Sequence, residues 1–274
     1  MAKQFLATLL TDFGTHDAYV AAMKGVILRS CPRAQIVDIS HEIPAHDVLA
    51  AAMVLAGAAR YFPPETLHVV VVDPGVGTDR RILAGTFEGQ TYLFPDNGVI
   101  TMVAERGPAE ELVIVRHPDF TTPRHLSQTF HGRDVFAPLA AEILKGLDIR
   151  RLGPQPETFT LLDLPVCEEG PNELIGQVMY VDVFGNLVSN IPAARVYACW
   201  ADFEGVRGSL AGRDVGPIQG AYGFVEPGEP VMVINSTGLV EIAVNRGRAC
   251  DVLQAGVGTV VRLTSDAAPR RLET

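Results

Sequence analysis

Three side chains of the right types stand close enough in sequence to suggest hydrolytic chemistry: Asp73, Arg80 and the more distant His131. A carboxylate and an imidazole beside a guanidinium can orient a water molecule and favour its deprotonation. Asp73 follows the apolar run His68–Val72 and is followed by Pro74-Gly75-Val76-Gly77, a sequence that stops a strand and turns the backbone tightly. Asp-Pro-Gly is also ordinary turn chemistry, Arg80 and Arg81 also suit a solvated pair at a strand start, and His131 also suits a loop histidine bonded to backbone groups. The functional reading gains weight because the pattern recurs. Leu6–Leu10 ends in Thr11-Asp12-Phe13-Gly14, Thr91–Phe94 ends in Pro95-Asp96-Asn97-Gly98, and Phe130 leads into His131-Gly132-Arg133-Asp134. Ligands of open α/β sheets lie beyond the carboxyl ends of the strands, so these groups suggest one convergent site.

Other chemistries fit less well. Asp12, Asp73, Asp96 and His131 are ligands of the kind a metal-dependent phosphoesterase gathers, but no HxH, His-Glu-x-x-His or Asp-x-His pairing accompanies them. No Gly-x-Ser-x-Gly elbow is present. Gly75-Val76-Gly77 lacks the third glycine of a dinucleotide fingerprint, and no Gly-Lys-Ser/Thr occurs. No metal and no cofactor is therefore expected.

The elements that must position these groups alternate between strands and helices. A helix is predicted over about 17–30, a strand over 35–39, and a helix capped by Asp47 up to about Tyr61. The strand before Asp73 follows. Ile82–Phe87 and Thr91–Phe94 pair around Glu88-Gly89-Gln90, a short helix begins near Gly98, a strand covers about 111–116, and a helix covers about 133–145. This order predicts a mainly parallel, layered α/β (Rossmann-like) domain. Prolines 154, 156, 165 and 171 mark a connection, after which helical patterning disappears. Ile175–Val183, Val231–Ile234, Leu239–Val244 and Thr259–Leu263 read as strands of a small all-β barrel or sandwich. The division is thus 1–167, an α/β domain, and 168–274, a β-barrel domain.

The barrel has its own polar set. Asp182-Val183-Phe184-Gly185-Asn186 places a carboxylate, an aromatic ring and an amide within one turn, where Phe184 could cover an aromatic ligand and Asp182 and Asn186 its polar edges. A plain β-turn explains the same residues. Asn235-Ser236-Thr237-Gly238 followed by Glu241 is a second such loop. His41, His46, Trp200 and the cysteines read as structural.

Composition narrows the class. The 274 residues are 47% hydrophobic and 20% charged with a net charge of −10, which fits a folded protein with a large core and not a nucleic-acid surface. Cys31, Cys167, Cys199 and Cys250 are scattered, as reduced thiols would be. Met1-Ala2-Lys3-Gln4 runs into a strand without the apolar length of a signal peptide, and no run approaches a membrane span. A cytoplasmic location and no membrane partner are expected.

In order and spacing, the motifs at 11–14, 73–80, 95–98, 130–134, 182–186 and 235–241 resemble the S-adenosylmethionine (SAM) hydroxide adenosyltransferases, the adenosine-forming SAM hydrolases related to fluorinase and chlorinase. The resemblance implies hydrolysis of SAM to adenosine and methionine by attack of water on ribose C5′. It implies Asp73, Arg80 and His131 as a catalytic triad, Asp12 on the ribose hydroxyls and Asp182 on the methionine amino group. It also implies Phe184 and Asn186 against adenine, Ser236 and Glu241 in a second substrate loop, and the Val244 main chain at the adenine edge. A homotrimer with sites between subunits is implied as well. The sequence departs from the halogenases, which carry an aromatic residue at position 73. Thr237 stands where the fluorinase has arginine, and His46 where it has tryptophan. A carboxylate at 73 repels halide and favours water. The alternatives are a non-catalytic adenosine- or SAM-binding protein and a metal-dependent phosphoesterase.

Overall fold

A computed structural model describes residues 5–116, 118–121, 127, 129–200, 202, 203 and 205–265. The chain divides into two units, Met1–Leu162 and Asp163–Thr274.

The first unit begins β1 (Leu6–Thr11), α1 (Tyr19–Ser30), β2 (Gln35–Ser40), α2 (Val48–Ala59) and β3 (Leu67–Val71). It continues β4 (Ile82–Phe87), β5 (Gln90–Pro95), α3 (Thr101–Ala104), β6 (Glu111–Ile114) and α4 (Pro118–Thr121). A π-helical turn, Gly132–Phe136, then feeds directly into α5 (Ala137–Lys145). The six strands form one sheet in the order β2-β1-β3-β5-β4-β6. β2, β1, β3 and β5 run parallel, whereas β4 is antiparallel to both its neighbours. The central parallel strands β1 and β3 are mostly apolar because both faces are covered, whereas the edge strand β2 is partly exposed along its length. β3 is buried at every position. Leu67, Val69 and Val71 share a core with Met23 and Ile27 of α1 and Leu139, Ala140 and Leu144 of α5.

The other face of the sheet meets α2. Asp47 caps that helix, its carboxylate accepting from Ala50 N at 2.8 Å, and the many alanines let the backbone approach closely. His68 and Thr8 point to this face and bond side chain to side chain at 2.7 Å. His68 stacks on Tyr92 at 4.7 Å and meets the edge of Phe62 at 5.6 Å. Gln90 Nε2 donates to Ala59 O at 3.0 Å and Phe62 O at 2.8 Å, satisfying the carbonyls that end α2. β4 and β5 are joined by Glu88-Gly89, both at positive φ, as a two-residue hairpin turn requires.

The second unit contains β7 (Glu168–Gly170), β8 (Glu173–Val181), β9 (Leu187–Pro192), α6 (Ala193–Trp200), β10 (Val206–Leu210) and β11 (Arg213–Gln219). β12 (Pro230–Ile234), β13 (Leu239–Val244), α7 (Ala249–Val252) and β14 (Val260–Ser265) complete it. The strand order β14-β10-β11-β12-β13-β9-β8 closes through a β14–β8 pairing into a barrel, with β7 added on β8. Leu174, Val178, Leu187, Ile191, Met232, Val240, Ile242, Val261 and Leu263 fill it. The expectation that helices are absent after the connection is corrected here. α6 buries Val196, Cys199 and Trp200 on one face, and Trp200 Nε1 donates to Asn172 Oδ1 at 3.0 Å. Apolar residues at i, i+3 and i+4 are the helical signature, and they are visible in the sequence. The four cysteines are free thiols. Among the described residues no helix is long and apolar enough to cross a membrane.

Candidate active site

The buried strand β3 carries the chain through Val72 to Asp73, whose side chain is 4% exposed. There the backbone folds over itself: Val76 N donates to Asp73 O at 3.2 Å, Thr78 N to Gly75 O at 3.1 Å, and Thr78 Oγ1 to Gly75 O at 2.7 Å. This turn returns Arg80 over the carboxylate. Arg80 Nε lies 2.9 Å from both Asp73 oxygens, and Nη2 also donates to Oδ2. A Cβ at position 75 would stand 3.0 Å from Arg80 Cγ, so the glycine leaves the space the arginine occupies. Removing one partner of so enclosed an ion pair typically costs about 3–5 kcal/mol, because the other charge is left buried and unpaired.

His131 is the last residue before the π-turn, and it has helical φ and ψ of −60° and −27°. Arg80 Nη2 lies 2.9 Å from its Nδ1. A guanidinium can only donate, so Nδ1 is the acceptor and the ring hydrogen sits on Nε2. The histidine pKa is lowered from its ordinary value, first by burial and then by the positive charge of Arg80, against the opposing pull of Asp73 and Asp134. His131 is therefore neutral at pH 7. Asp134, in the same motif, does other work. It accepts from Ser127 N at 2.9 Å and pairs with Arg133, whose hydrogen bonds hold its carboxyl below the usual range.

Asp73 and His131 line a cavity of about 270 Å³ together with Asp12, Phe13, Tyr19, His46 and Phe130. Three rings pack as one wall, with centroids 5.7 Å apart for Phe13–Tyr19 and Phe13–Phe130 and 5.1 Å for Tyr19–Phe130. Asp12 Oδ2 accepts from His46 N at 2.9 Å. His46, expected to be structural, is thus part of the cavity wall and of the clamp on Asp12.

Asp96 is not part of this cavity. It binds Arg81 through Nε at 2.7 Å and accepts from Thr160 N at 2.7 Å, while Arg81 Nη2 reaches Thr158 O at 2.8 Å. The neighbouring arginines therefore part company: Arg80 turns to Asp73 and Arg81 fastens the connection. Among the described residues, no group of three or more His, Cys, Asp or Glu side chains is arranged to hold a metal ion.

In the second unit, Asp182 organises its own turn. Its Oδ1 accepts from Phe184 N at 2.9 Å and Asn186 N at 2.8 Å, and Oδ2 from Asn186 Nδ2 at 3.0 Å. That leaves the Phe184 ring standing into solvent, 70% exposed. Glu241 is buried, its carboxyl accepting from Tyr222 Oη at 2.8 Å and Asn235 Nδ2 at 3.1 Å. Burial pushes the Glu241 pKa up, helped by the nearby charge of Asp182. Asn235 Oδ1 also accepts from Thr237 N at 2.9 Å, shaping the turn that exposes Ser236. Val244 is buried, and its carbonyl accepts from Gly247 N at 3.0 Å. Tyr222 was missed by the sequence reading; only its place in a Gly-rich stretch, Gly220-Ala221-Tyr222-Gly223, signals a loop.

Residues 7–153 match the SAM hydroxide adenosyltransferase N-terminal domain and residues 176–262 the C-terminal domain of the same family. The chain belongs to the SAM hydroxide adenosyltransferase family. It is 38% identical over 261 residues to a Thermus thermophilus protein named (R)-S-adenosyl-L-methionine hydrolase, covering 93% of this chain and 97% of that one. A protein of the same name from Salinispora arenicola is 36% identical over 97% of this chain and all of its own length. A fluorinase from Actinopolyspora mzabensis is more distant, 25% identical over 94% of this chain and 97% of its own. A crystal structure of an uncharacterized conserved protein from Thermotoga maritima superposes with a TM-score of 0.85 at 37% identity, covering 94% of this chain and 99% of that one.

Proposed function

We propose that this family member hydrolyses SAM to adenosine and methionine by in-line attack of water on ribose C5′. The observation that carries the reading is that a carboxylate and a neutral imidazole face one cavity while a single guanidinium binds both. The leaving group supports it too: sulfonium departs as neutral methionine, so the reaction needs neither a general acid nor a metal to stabilise a leaving anion. What it needs is a positioned water in a dry pocket. The ring wall of Phe13, Tyr19 and Phe130 suits that purpose.

The roles follow from the hydrogen positions. His131 Nε2–H donates to the water oxygen and Asp73 accepts a water hydrogen, leaving a lone pair aimed at C5′. As the C–O bond forms and the C–S bond breaks, the proton passes to Asp73. Arg80 holds the Asp73 carboxylate in place through their ion pair and keeps His131 in the donating tautomer. Asp12 holds the ribose hydroxyls. Asp182 takes the methionine amino group, Phe184 and Asn186 the adenine, with Ser236, Glu241 and the Val244 main chain completing the substrate contacts.

In fold terms we read residues 1–167 as a Rossmann-like α/β domain and 168–274 as a barrel domain. The protein works as a cytoplasmic, metal-independent homotrimer whose sites are completed between subunits, a reading supported by the family resemblance. Incubating the chelator-dialysed protein with SAM and separating the products by chromatography tests the proposal. Adenosine and methionine in equal amounts are expected. SAM that binds but persists unchanged would leave a SAM-binding protein instead.

A further inference from the structure

One buried network outside the triad ends on the turn that carries Asp12. Thr11 and His41 are both buried, and His41 Nδ1 lies 2.8 Å from Thr11 Oγ1. On its other side, His41 Nε2 lies 3.0 Å from Asp38 Oδ1 as an electrostatic contact without hydrogen-bond geometry, and Asp38 Oδ2 is 2.6 Å from Lys24 Nζ. A carboxylate only accepts, so that contact is favourable with the hydrogen on Nε2. In the neutral ring Nδ1 is then an acceptor for the Thr11 hydroxyl hydrogen, which leaves Thr11 Oγ1 to accept from Phe13 N at 3.3 Å. His41 O accepts from Gly14 N at 2.7 Å, and Asp12 Oδ2 accepts from His46 N at 2.9 Å. The turn 11–14 and the loop 41–46 are thus joined at three points, with Asp12 between them.

We propose that His41, braced by Asp38, is a positioning residue that fixes the Thr11–Gly14 turn and so presents Asp12 to the ribose hydroxyls of the substrate. The ribose part rests on the reading of Asp12 given above; the positioning part rests on the contacts alone. In the sequence alone His41 reads as structural. Its distinguishing feature is that Nδ1 bonds Thr11 while Nε2 faces the Asp38 carboxylate, and that the bond to Thr11 continues to Phe13 N, beside a cavity carboxylate.

The test uses the full chain with His41→Leu, His41→Asn, which keeps an acceptor for Thr11, and Asp12→Asn. Amide hydrogen exchange reads the turn, and calorimetric titration with adenosine and 2′,3′-dideoxyadenosine reads the ribose contact. In His41→Leu, exchange at the Phe13 and His46 amides should quicken while β3 is unchanged. Adenosine should bind about tenfold more weakly, the loss expected for one misplaced bond to a charged group, and dideoxyadenosine about as before. His41→Asn should recover most of the difference. Unchanged exchange at those two amides overturns the positioning. Equal weakening of both nucleosides, where Asp12→Asn does discriminate them, overturns the link to the ribose. If Asp12→Asn itself affects both equally, the ribose reading of Asp12 fails and the exchange result alone decides the positioning. Should His41→Leu not fold, Asp38→Ala, at a half-exposed site, is measured the same way.

Discussion

Arg80 Nη2 and His131 Nδ1 stand 2.9 Å apart, and the arginine has no lone pair to offer. The histidine can bond only while Nδ1 is bare. Protonating it would put two donors face to face beside a buried positive charge, which is why burial and Arg80 lower its pKa from the ordinary 6.5. The working form, neutral, is retained as pH falls through 6.5 and is lost only below that. The acid limb of kcat/KM, which reports the free enzyme, should accordingly lie below pH 6.5. Replacing Arg80 with Met should raise the histidine pKa in any variant that folds. A wild-type limb at or above 6.5 in a pH–rate profile contradicts the tautomer assignment.

Asp73→Asn and His131→Ala should lower turnover far more than affinity. On the proposed roles the purine and methionine contacts lie on other residues, whereas loss of the base Asp73, or of the His131 donor that holds its water, should cost about 10²–10⁴-fold in rate. Single-turnover kinetics beside equilibrium titration with SAM separates the two. His131→Ala that melts rather than slows the protein points to a structural histidine.

Water should be the nucleophile. Asp73 is tied to Arg80 as an anion, and an anion beside the attack line repels halide. In water enriched with heavy oxygen, mass spectrometry should find the label in the 5′-hydroxyl of adenosine. A halogenated nucleoside formed in saturating chloride contradicts this.

The shared-site reading predicts complementation. His131→Ala and the double variant Asp182→Ala/Asn186→Ala should each be inactive alone, yet mixed oligomers should regain part of the activity. A head-to-tail ring joins some intact first units to intact second units of the next chain. Hetero-oligomers verified by mass spectrometry but lacking activity rule it out.

Stability should fall on mild acidification, and His68 is one cause. Burial pushes its pKa down to about 4 from 6.5, so between those values the unfolded chain takes a proton that the folded one refuses. Stability is full above 6.5, declines as pH falls toward 4, and the total loss from this group is about 3 kcal/mol. His68→Gln, although less stable overall, should show a flatter dependence of urea midpoint on pH. Parallel slopes would assign the acid sensitivity elsewhere.

Much of this was readable in advance where physics is local. An apolar run ended by a carboxylate and a nearby glycine marks a strand end, and the cavity carboxylates Asp12, in Asp12-Phe13-Gly14, and Asp73, in Asp73-Pro74-Gly75, sit at two such ends. Arg80 was accessible because only six residues of turn separate it from its partner. Arg81 was not distinguishable from it, since which guanidinium turns inward depends on the twist of the turn and on Thr158 and Thr160, far along the chain. Asp96 looked like a ligand for the same reason. Tyr222 and Glu241 meet only after the barrel closes. For His46 the sequence offered only its place where the fluorinase has tryptophan; its bond to Asp12 is made through the backbone N–H, which every non-proline residue has.

The connection also says where the chain tolerates cutting. Arg81 and Asp96 grip Thr158 and Thr160, Leu162 N donates to Thr101 Oγ1 at 2.8 Å, and Gly98, at φ 94°, leaves room for the Leu162 side chain that a Cβ would strike at 2.8 Å. A first unit severed after residue 153, where the family's N-terminal match stops, would expose a lone arginine–aspartate pair and an apolar notch at the sheet's rim. Severed after 162 it keeps its own seal, which makes the stretch from 154 to 162 less a tether between units than the last course of the first.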